Sequence, residues 1–188
     1  LDSIGRLVGQ ITVDDVMDEV REQSERDYQL ASGLSQDVET DDNVFRQTTA
    51  RLPWLIIGML GGIGNSMILG NFDATFAAHP EMALYIPLIG GTGGNVGTQS
   101  SALIVQGLAN SSLDSKNTLK QVAKEAVVAL INATIISLLV YTYNFIRFGA
   151  MATVTYSVSI SLFAVVMFAS IFGTLVPMTL ERLKIDPA

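Results

Sequence analysis

The chain has 188 residues, of which 49% are hydrophobic and only 15% are charged, and its net charge is −7. Average soluble domains carry about 25% charged residues, so the composition disfavours an ordinary soluble domain, and we expect no nucleic-acid partner. The chain contains no cysteine, which excludes a disulfide framework and a thiolate metal site. It begins without a methionine or a recognisable signal peptide, and we expect it to be part of a longer protein.

The first 42 residues form an acidic segment. They hold twelve of the eighteen acidic residues and three of the eleven basic ones, which gives the segment a net charge of −9. The rest of the chain is slightly basic and strongly apolar. We therefore predict a soluble acidic part that is joined to a membrane part near residues 43–51.

Four runs without Asp, Glu, Lys or Arg follow, at about 52–72, 82–113, 126–146 and 148–180. Each reaches the about 20 residues that a helix needs to cross a bilayer, whereas soluble helices of this size usually keep a charged face. Pro53 is placed as at the start of a helix. The sequence thus predicts an all-α, polytopic membrane helix bundle with four spans, preceded by an acidic cytoplasmic helix.

Basic residues indicate the orientation of these spans. They precede span one, lie between spans two and three and follow span four: Arg46, Arg51, Lys116, Lys120, Lys124, Arg182 and Lys184. The opposite side carries only Arg147. By the positive-inside rule we expect a multi-pass protein of the cell inner membrane, with its N-terminus in the cytoplasm.

Span two contains a segment rich in glycine and amide side chains, GGTGGNVGTQ, at residues 90–99. Its spacing fits neither a dinucleotide-binding loop nor a P-loop. Close helix packing explains the glycines at Gly58/Gly62, Gly90/Gly94 and Gly93/Gly97, but it does not explain the polar side chains beside them. A cation path with a locally unwound helix would explain both, because neutral oxygen ligands suit a hard cation.

The stretch from Pro87 to Ile104, PLIGGTGGNVGTQSSALI, closely resembles the signature of MgtE-type magnesium channels and transporters. Gly5 to Val20 resembles the last strand and helix of a CBS domain, and the acidic helix that follows is similar to the family's plug helix. The resemblance implies three parts: the end of a CBS domain (1–20), a cytoplasmic plug helix and linker (21–50) and a transmembrane pore domain (51–188). A fifth span is expected beyond residue 188.

The resemblance also implies a homodimer in the lipid bilayer that conducts Mg²⁺, with intracellular Mg²⁺ acting as a regulatory ion on the acidic segment. Backbone carbonyls at Gly91 and Gly94 would line the pore, and Asn95 matches the asparagine of the family's Gly-Gly-Asn motif. Thr98 stands where some members have asparagine, and Asp186 would lie near the inner mouth. We expect metal contacts at these five positions.

Three alternatives stay open at this stage. One is a channel or carrier of the same architecture for another cation, and another is a membrane anchor without a transport role. An intramembrane enzyme is disfavoured, because no span holds a Ser/Lys pair, an Asp dyad or a His cluster. We therefore expect no catalytic residues and no bound organic cofactor.

Overall fold

The computed structural model describes residues 11–109, 118–150 and 152–184, and all regular structure in this part is helical. The chain divides into two units, Leu1–Ser66 and Met67–Ala188. The expected CBS strand and Asp186 both lie outside the described residues. The observed helices establish the predicted all-α class.

The first unit begins with helix α1, Val13–Ala31. Thr12 and Asp15 form a capping box, in which each side chain accepts a hydrogen bond from the other residue's backbone N–H. The chain leaves the helix through Gly33, two residues after Ala31; Gly33 adopts a φ of +82°, a conformation that glycine reaches at little cost. A Cβ atom on Gly33 would also lie 2.6 Å from the ring of Trp54.

Helix α2 follows at Val44–Leu69. It begins where the Asn43 side chain accepts a hydrogen bond from the backbone N–H of Arg46, at 2.9 Å. Pro53 therefore lies inside the helix, and the prediction that it starts the helix is wrong. The cap at Asn43 sets the start, because it satisfies a backbone donor of the first turn that would otherwise have no partner.

The connection between α1 and α2 is held by hydrogen bonds to both helices. The backbone N–H and the hydroxyl of Ser35 donate to the carbonyl of Ala50, at 2.9 and 3.0 Å. The side chain of Gln29 exchanges two hydrogen bonds with the backbone of Val38. The end of α1 is thus fixed against the first turns of α2.

The second unit contains short 3-10 segments at Gly70–Phe72 and Pro80–Tyr85, with helix α3 (Asp73–Ala78) between them. Three long helices follow: α4 at Ile86–Ala109, α5 at Thr118–Phe148 and α6 at Thr153–Arg182. Contacts pair residues 125 and 137 of α5 with residues 170 and 159 of α6, and residues 93 and 97 of α4 with residues 165 and 169 of α6. Helix α6 therefore runs antiparallel to α5 and parallel to α4.

Helix α6 forms the centre of this bundle, and it packs against both α4 and α5. One apolar cluster joins Ala133 of α5 to Leu162 and Val166 of α6. A second cluster, at the other end of the bundle, joins Tyr85 to Val154 and Val158. Ile89 of α4 packs against both clusters and Val96 against the first, and these contacts fix the face of α4 that packs on α6.

Three helical segments of the described chain are long and apolar enough to cross a membrane: Val44–Ala78, Leu119–Phe148 and Thr153–Arg182. Helix α4 has 24 residues, or about 36 Å at about 1.5 Å per residue, so it is long enough. Its glycine, amide and hydroxyl residues keep it below the hydropathy of the other three. The fold is that of a multi-pass membrane helix bundle in which α4 carries amide and hydroxyl side chains but no charged one.

Candidate functional site

Four of the predicted site residues lie together on one exposed side of α4. Gly91, Gly94, Asn95 and Thr98 are all exposed, and their spacing of three and four residues places them on one face of a helix. We call these four residues the open face of α4. The fifth predicted residue, Asp186, lies outside the described residues.

The segment at residues 90–99 is part of an uninterrupted α-helix. The expectation of a locally unwound helix is therefore wrong. Within a continuous helix, each carbonyl accepts a hydrogen bond from the N–H four residues later, so the carbonyls of Gly91 and Gly94 are not freed from the helix.

On the opposite side of α4, Gly93 and Gly97 pack on α6, and the fit is tighter at Gly93. A Cβ atom on Gly93 would lie 2.6 Å from Cγ1 of Val165, and one on Gly97 would lie 3.8 Å from the carbonyl oxygen of Ala169. On the facing helix, a Cβ atom on Gly173 would lie 2.6 Å from the carbonyl oxygen of Gly97. The packing explanation is confirmed for Gly93/Gly97, where absent side chains let α4 and α6 approach closely.

The other predicted glycine pairs do not pack within the described residues. A Cβ atom on Gly90, Gly91 or Gly94 would meet no atom within 4 Å, and the same holds for Gly58 and Gly62 of α2. The open face thus has free space at its glycines, bordered by the amide of Asn95 and the hydroxyl of Thr98. It offers neutral oxygens and no charge.

Neutral oxygens of this kind suit a hydrated hard cation better than a stripped one. Mg²⁺ loses its waters reluctantly and is usually held by only one or two direct protein ligands. Among the described residues, no group of three or more His, Cys, Asp or Glu side chains could hold a metal ion. The open face is therefore suited to hydrogen-bonding the water shell of a cation.

A buried polar cluster lies where α4, α5 and α6 meet, and the sequence did not reveal it. The hydroxyls of Ser100 and Ser170 donate to the same carboxylate oxygen, Oε1 of Glu125, at 2.7 and 2.6 Å. Their two Oγ atoms are 3.0 Å apart. Both serines are buried, at 4% and 2% exposure, and Glu125 is half-buried. We call these three residues the serine–glutamate cluster.

A second polar pair lies toward the other end of the bundle. The hydroxyl of Tyr85 donates to Oδ1 of Asn144 at 2.5 Å, and Asn144 is fully buried. Its Nδ2 atom has no hydrogen-bond partner among the described residues. This pair joins the segment before α4 to the end of α5.

Comparison with known proteins identifies a family for most of the membrane part. Residues 86–188 match the family model MgtE, described as a divalent cation transporter. The chain is 30% identical to the magnesium transporter MgtE of Bacillus subtilis over 97% of its length, and 34% identical to that of Thermus thermophilus over its full length. A third relative, from Enterococcus faecalis, is 27% identical over 97% of the chain. The chain spans 40–42% of these relatives' own lengths.

Proposed function

Because this chain belongs to the MgtE family of divalent cation transporters, we propose that it forms part of a path for Mg²⁺ across the cell inner membrane. The observation that carries the proposal is the open face of α4, where two glycines leave space beside Asn95 and Thr98. Three relatives are named magnesium transporters. Their names supply the choice of ion, since neutral oxygens alone would suit other hard cations as well.

We further propose that the path lies between two copies of the chain, with the open face of α4 from each copy turned toward it. A cation that keeps its water shell needs a wide path lined with hydrogen-bonding groups. Glycine at 91 and 94 provides the width, and Asn95 and Thr98 provide the oxygens. Asp186 would add a charged group near the inner mouth.

The charge distribution within the bundle supports the proposed orientation. Since α4 and α6 run parallel, and α5 antiparallel to them, Lys120 and Lys124 lie at the same end of the bundle as Arg182 and Lys184. Arg147 lies at the opposite end. An excess of basic residues on one side is typical of the cytoplasmic side, and this favours a cytoplasmic N-terminus.

We propose that α1 belongs to a cytoplasmic gate that responds to Mg²⁺. It carries seven acidic and two basic residues, and both bases are already paired, Arg21 with Glu25 at 2.9 Å and Arg26 with Glu22 at 3.0 Å. The remaining acids repel one another, and bound divalent cations would relieve this repulsion. The division into a CBS remnant (1–20), a plug helix and linker (21–50) and a pore domain (51–188) belongs to this proposal.

Transport is tested by Mg²⁺ uptake into liposomes that contain the full-length protein, with Co²⁺, Ca²⁺ and Na⁺ as competitors. We expect Mg²⁺ uptake that Asn95→Ala combined with Gly94→Val abolishes while the dimer still assembles. Gly58→Val is the matched control, because its side chain would also enter open space. Absence of Mg²⁺ uptake by the unsubstituted protein contradicts the proposal, and strong inhibition by another cation favours a path for that ion.

The gate is tested separately by limited proteolysis of the intact protein. We expect millimolar Mg²⁺ to slow cleavage between residues 20 and 42, because bound cations would hold the acidic segments together. Ca²⁺ at the same concentration and matched ionic strength is the control for general screening. Equal cleavage rates with and without Mg²⁺ would contradict regulation by this segment, and leave the transport proposal standing.

A further inference from the structure

The serine–glutamate cluster is a directional polar contact in a helix interface that otherwise consists of glycines and apolar side chains, among them Ile89 and Val96 of α4. The close approach of α4 to α6 runs through Gly93, Gly97 and Gly173, and glycines offer no side chain that resists rotation of one helix against the other. Among the described residues, the side-chain hydrogen bond that joins α4 to another helix of the bundle is that of Ser100 to Glu125.

The geometry of the cluster ties three helices to one atom. Ser100 of α4 and Ser170 of α6 both donate to Oε1 of Glu125 on α5. Each serine hydroxyl has a single proton, and both protons are directed at Oε1. The two Oγ atoms are therefore 3.0 Å apart because they share an acceptor, and not because one donates to the other. A rotation of α4 that moved Ser100 away would break its bond to Glu125 and leave a buried hydroxyl without a partner, which is unfavourable.

Ser100 and the open face lie on opposite sides of α4. At about 100° per residue, Ser100 is on the side that packs on α6, with Gly93 and Gly97, and nearly opposite Thr98 and Gly91. Any rotation that displaces Ser100 therefore turns the open face by the same angle. In enzymes, a displacement of about 1 Å of a positioning group can change a rate by about 100-fold, and we expect the passage of an ion to depend on position in the same way.

We propose that Glu125 is a positioning residue for the proposed Mg²⁺ path: through Ser100 it fixes the rotation of α4, and so the direction in which the open face points. The inference rests on the proposed function, but the rotation of α4 can be measured without transport. Glu125 acts here as a hydrogen-bond acceptor. Glu125→Gln retains an oxygen at the position of Oε1 and should therefore preserve the function, whereas Glu125→Ala should not.

The rotation is measured by thiol labelling of the full-length protein in membranes. The chain of 188 residues has no cysteine, so single cysteines at positions 90 and 99 report how α4 is turned, because both positions are exposed and they lie about 180° apart around the helix. We expect Glu125→Ala and Ser100→Ala to change the ratio of the two labelling rates by at least about fivefold. We also expect each substitution to change the rate of Mg²⁺ uptake, or the preference of the protein for Mg²⁺ over Ca²⁺, by at least about tenfold.

The matched control is Ser137→Ala, which removes a hydrogen bond of 2.9 Å between α5 and α6 without touching α4. We expect Glu125→Gln and Ser137→Ala to keep both the labelling ratio and the ion preference within about twofold of the unsubstituted protein. Elution as an assembled protein in size-exclusion chromatography shows that each variant is folded, and Ser100→Ala serves if Glu125→Ala does not fold.

Three other outcomes overturn the inference, and a fourth separates it from the proposed function. If Glu125→Gln behaves as Glu125→Ala does, then Glu125 acts through its charge and not as an acceptor. If Ser137→Ala has an equal effect, the cluster is one of several general structural contacts. An unchanged labelling ratio in Glu125→Ala and Ser100→Ala excludes positioning. If the unsubstituted protein carries no Mg²⁺, the proposed function fails, and the labelling ratio still decides whether Glu125 orients α4.

Discussion

Replacing Gly173 with alanine should weaken the bundle, because α6 approaches α4 too closely at this point for any side chain. The new Cβ atom would lie 2.6 Å from the carbonyl oxygen of Gly97 and 3.1 Å from Cβ of Ser100. Neither neighbour can move by a side-chain rotation, since one is a backbone atom and the other is fixed to the backbone. Gly173→Ala must therefore push the two helices apart.

The distances give the size of the effect. Carbon–oxygen contacts between close helices lie at about 3.3–3.6 Å, so the helices must separate locally by about 0.7–1.0 Å. Overpacking of this kind costs about 1–3 kcal/mol, and alanine is better than glycine inside a helix by about 0.5–1 kcal/mol. We expect Gly173→Ala to lower the free energy of unfolding by about 1–2 kcal/mol.

The assay is denaturant unfolding in detergent micelles, followed by far-ultraviolet circular dichroism. Gly62→Ala is the control, because its Cβ atom would meet nothing within 4 Å. Gly93→Ala should have a smaller effect, since its obstacle is Cγ1 of the Val165 side chain, and Val165→Ala should rescue it. If Gly173→Ala unfolds at the same denaturant concentration as Gly62→Ala, the close packing of α4 on α6 is refuted.

Three further predictions concern other contacts. The Thr12 hydroxyl donates a hydrogen bond to the Asp15 carboxylate and lowers the pKa of Asp15 below 3.8. The capping box therefore stabilises α1 above pH 3.8, and this stabilisation is lost as the pH falls through the lowered pKa. Thr12→Val should raise the pKa of Asp15 toward 3.8 in a carboxylate NMR titration, and an unchanged pKa would contradict this. Gly33→Ala should destabilise the first unit by about 1 kcal/mol or more, because alanine disfavours the left-handed conformation. Unfolding of this unit can be followed by the fluorescence of Trp54. Unaltered fluorescence and stability would contradict the close contact between Gly33 and Trp54. Tyr85→Phe leaves Oδ1 of buried Asn144 without its hydrogen bond and should lower the free energy of unfolding by about 1–3 kcal/mol. Adding Asn144→Leu should recover part of this loss, because no buried amide is then left without a partner. A double variant less stable than Tyr85→Phe would contradict a stabilising Tyr85–Asn144 hydrogen bond.

The helices themselves could be predicted from the sequence, because an uncharged apolar run of 20 or more residues needs no tertiary information to be read as a span. The start of α2 was missed because Pro53 was weighed without the cap at Asn43. That cap is a local signal and could have been used, since Asn is among the preferred residues at helix starts.

The wrong prediction of a locally unwound α4 has a different cause. Local composition cannot distinguish glycines that unwind a helix from glycines that pack on another helix, and here the decision rests with residues about 70 positions away on α6. Glu125 was missed for the same reason. A carboxylate at the edge of an apolar run reads as part of a polar loop, and its partners Ser100 and Ser170 are 25 and 45 residues away.

The parallel pairing of α4 with α6 also has a consequence for biosynthesis. Gly97 and Gly173 are in contact although α5 and its connections lie between them in the chain, so α4 is synthesised well before its partner exists. At about 5–20 residues per second, translation of the 76 residues between them takes about 4–15 s. During this interval Ser100 and the glycine surface of α4 have neither Ser170 nor α6 to contact. Newly made chains that pause in this interval should therefore be the form most open to mispairing and to removal by membrane proteases.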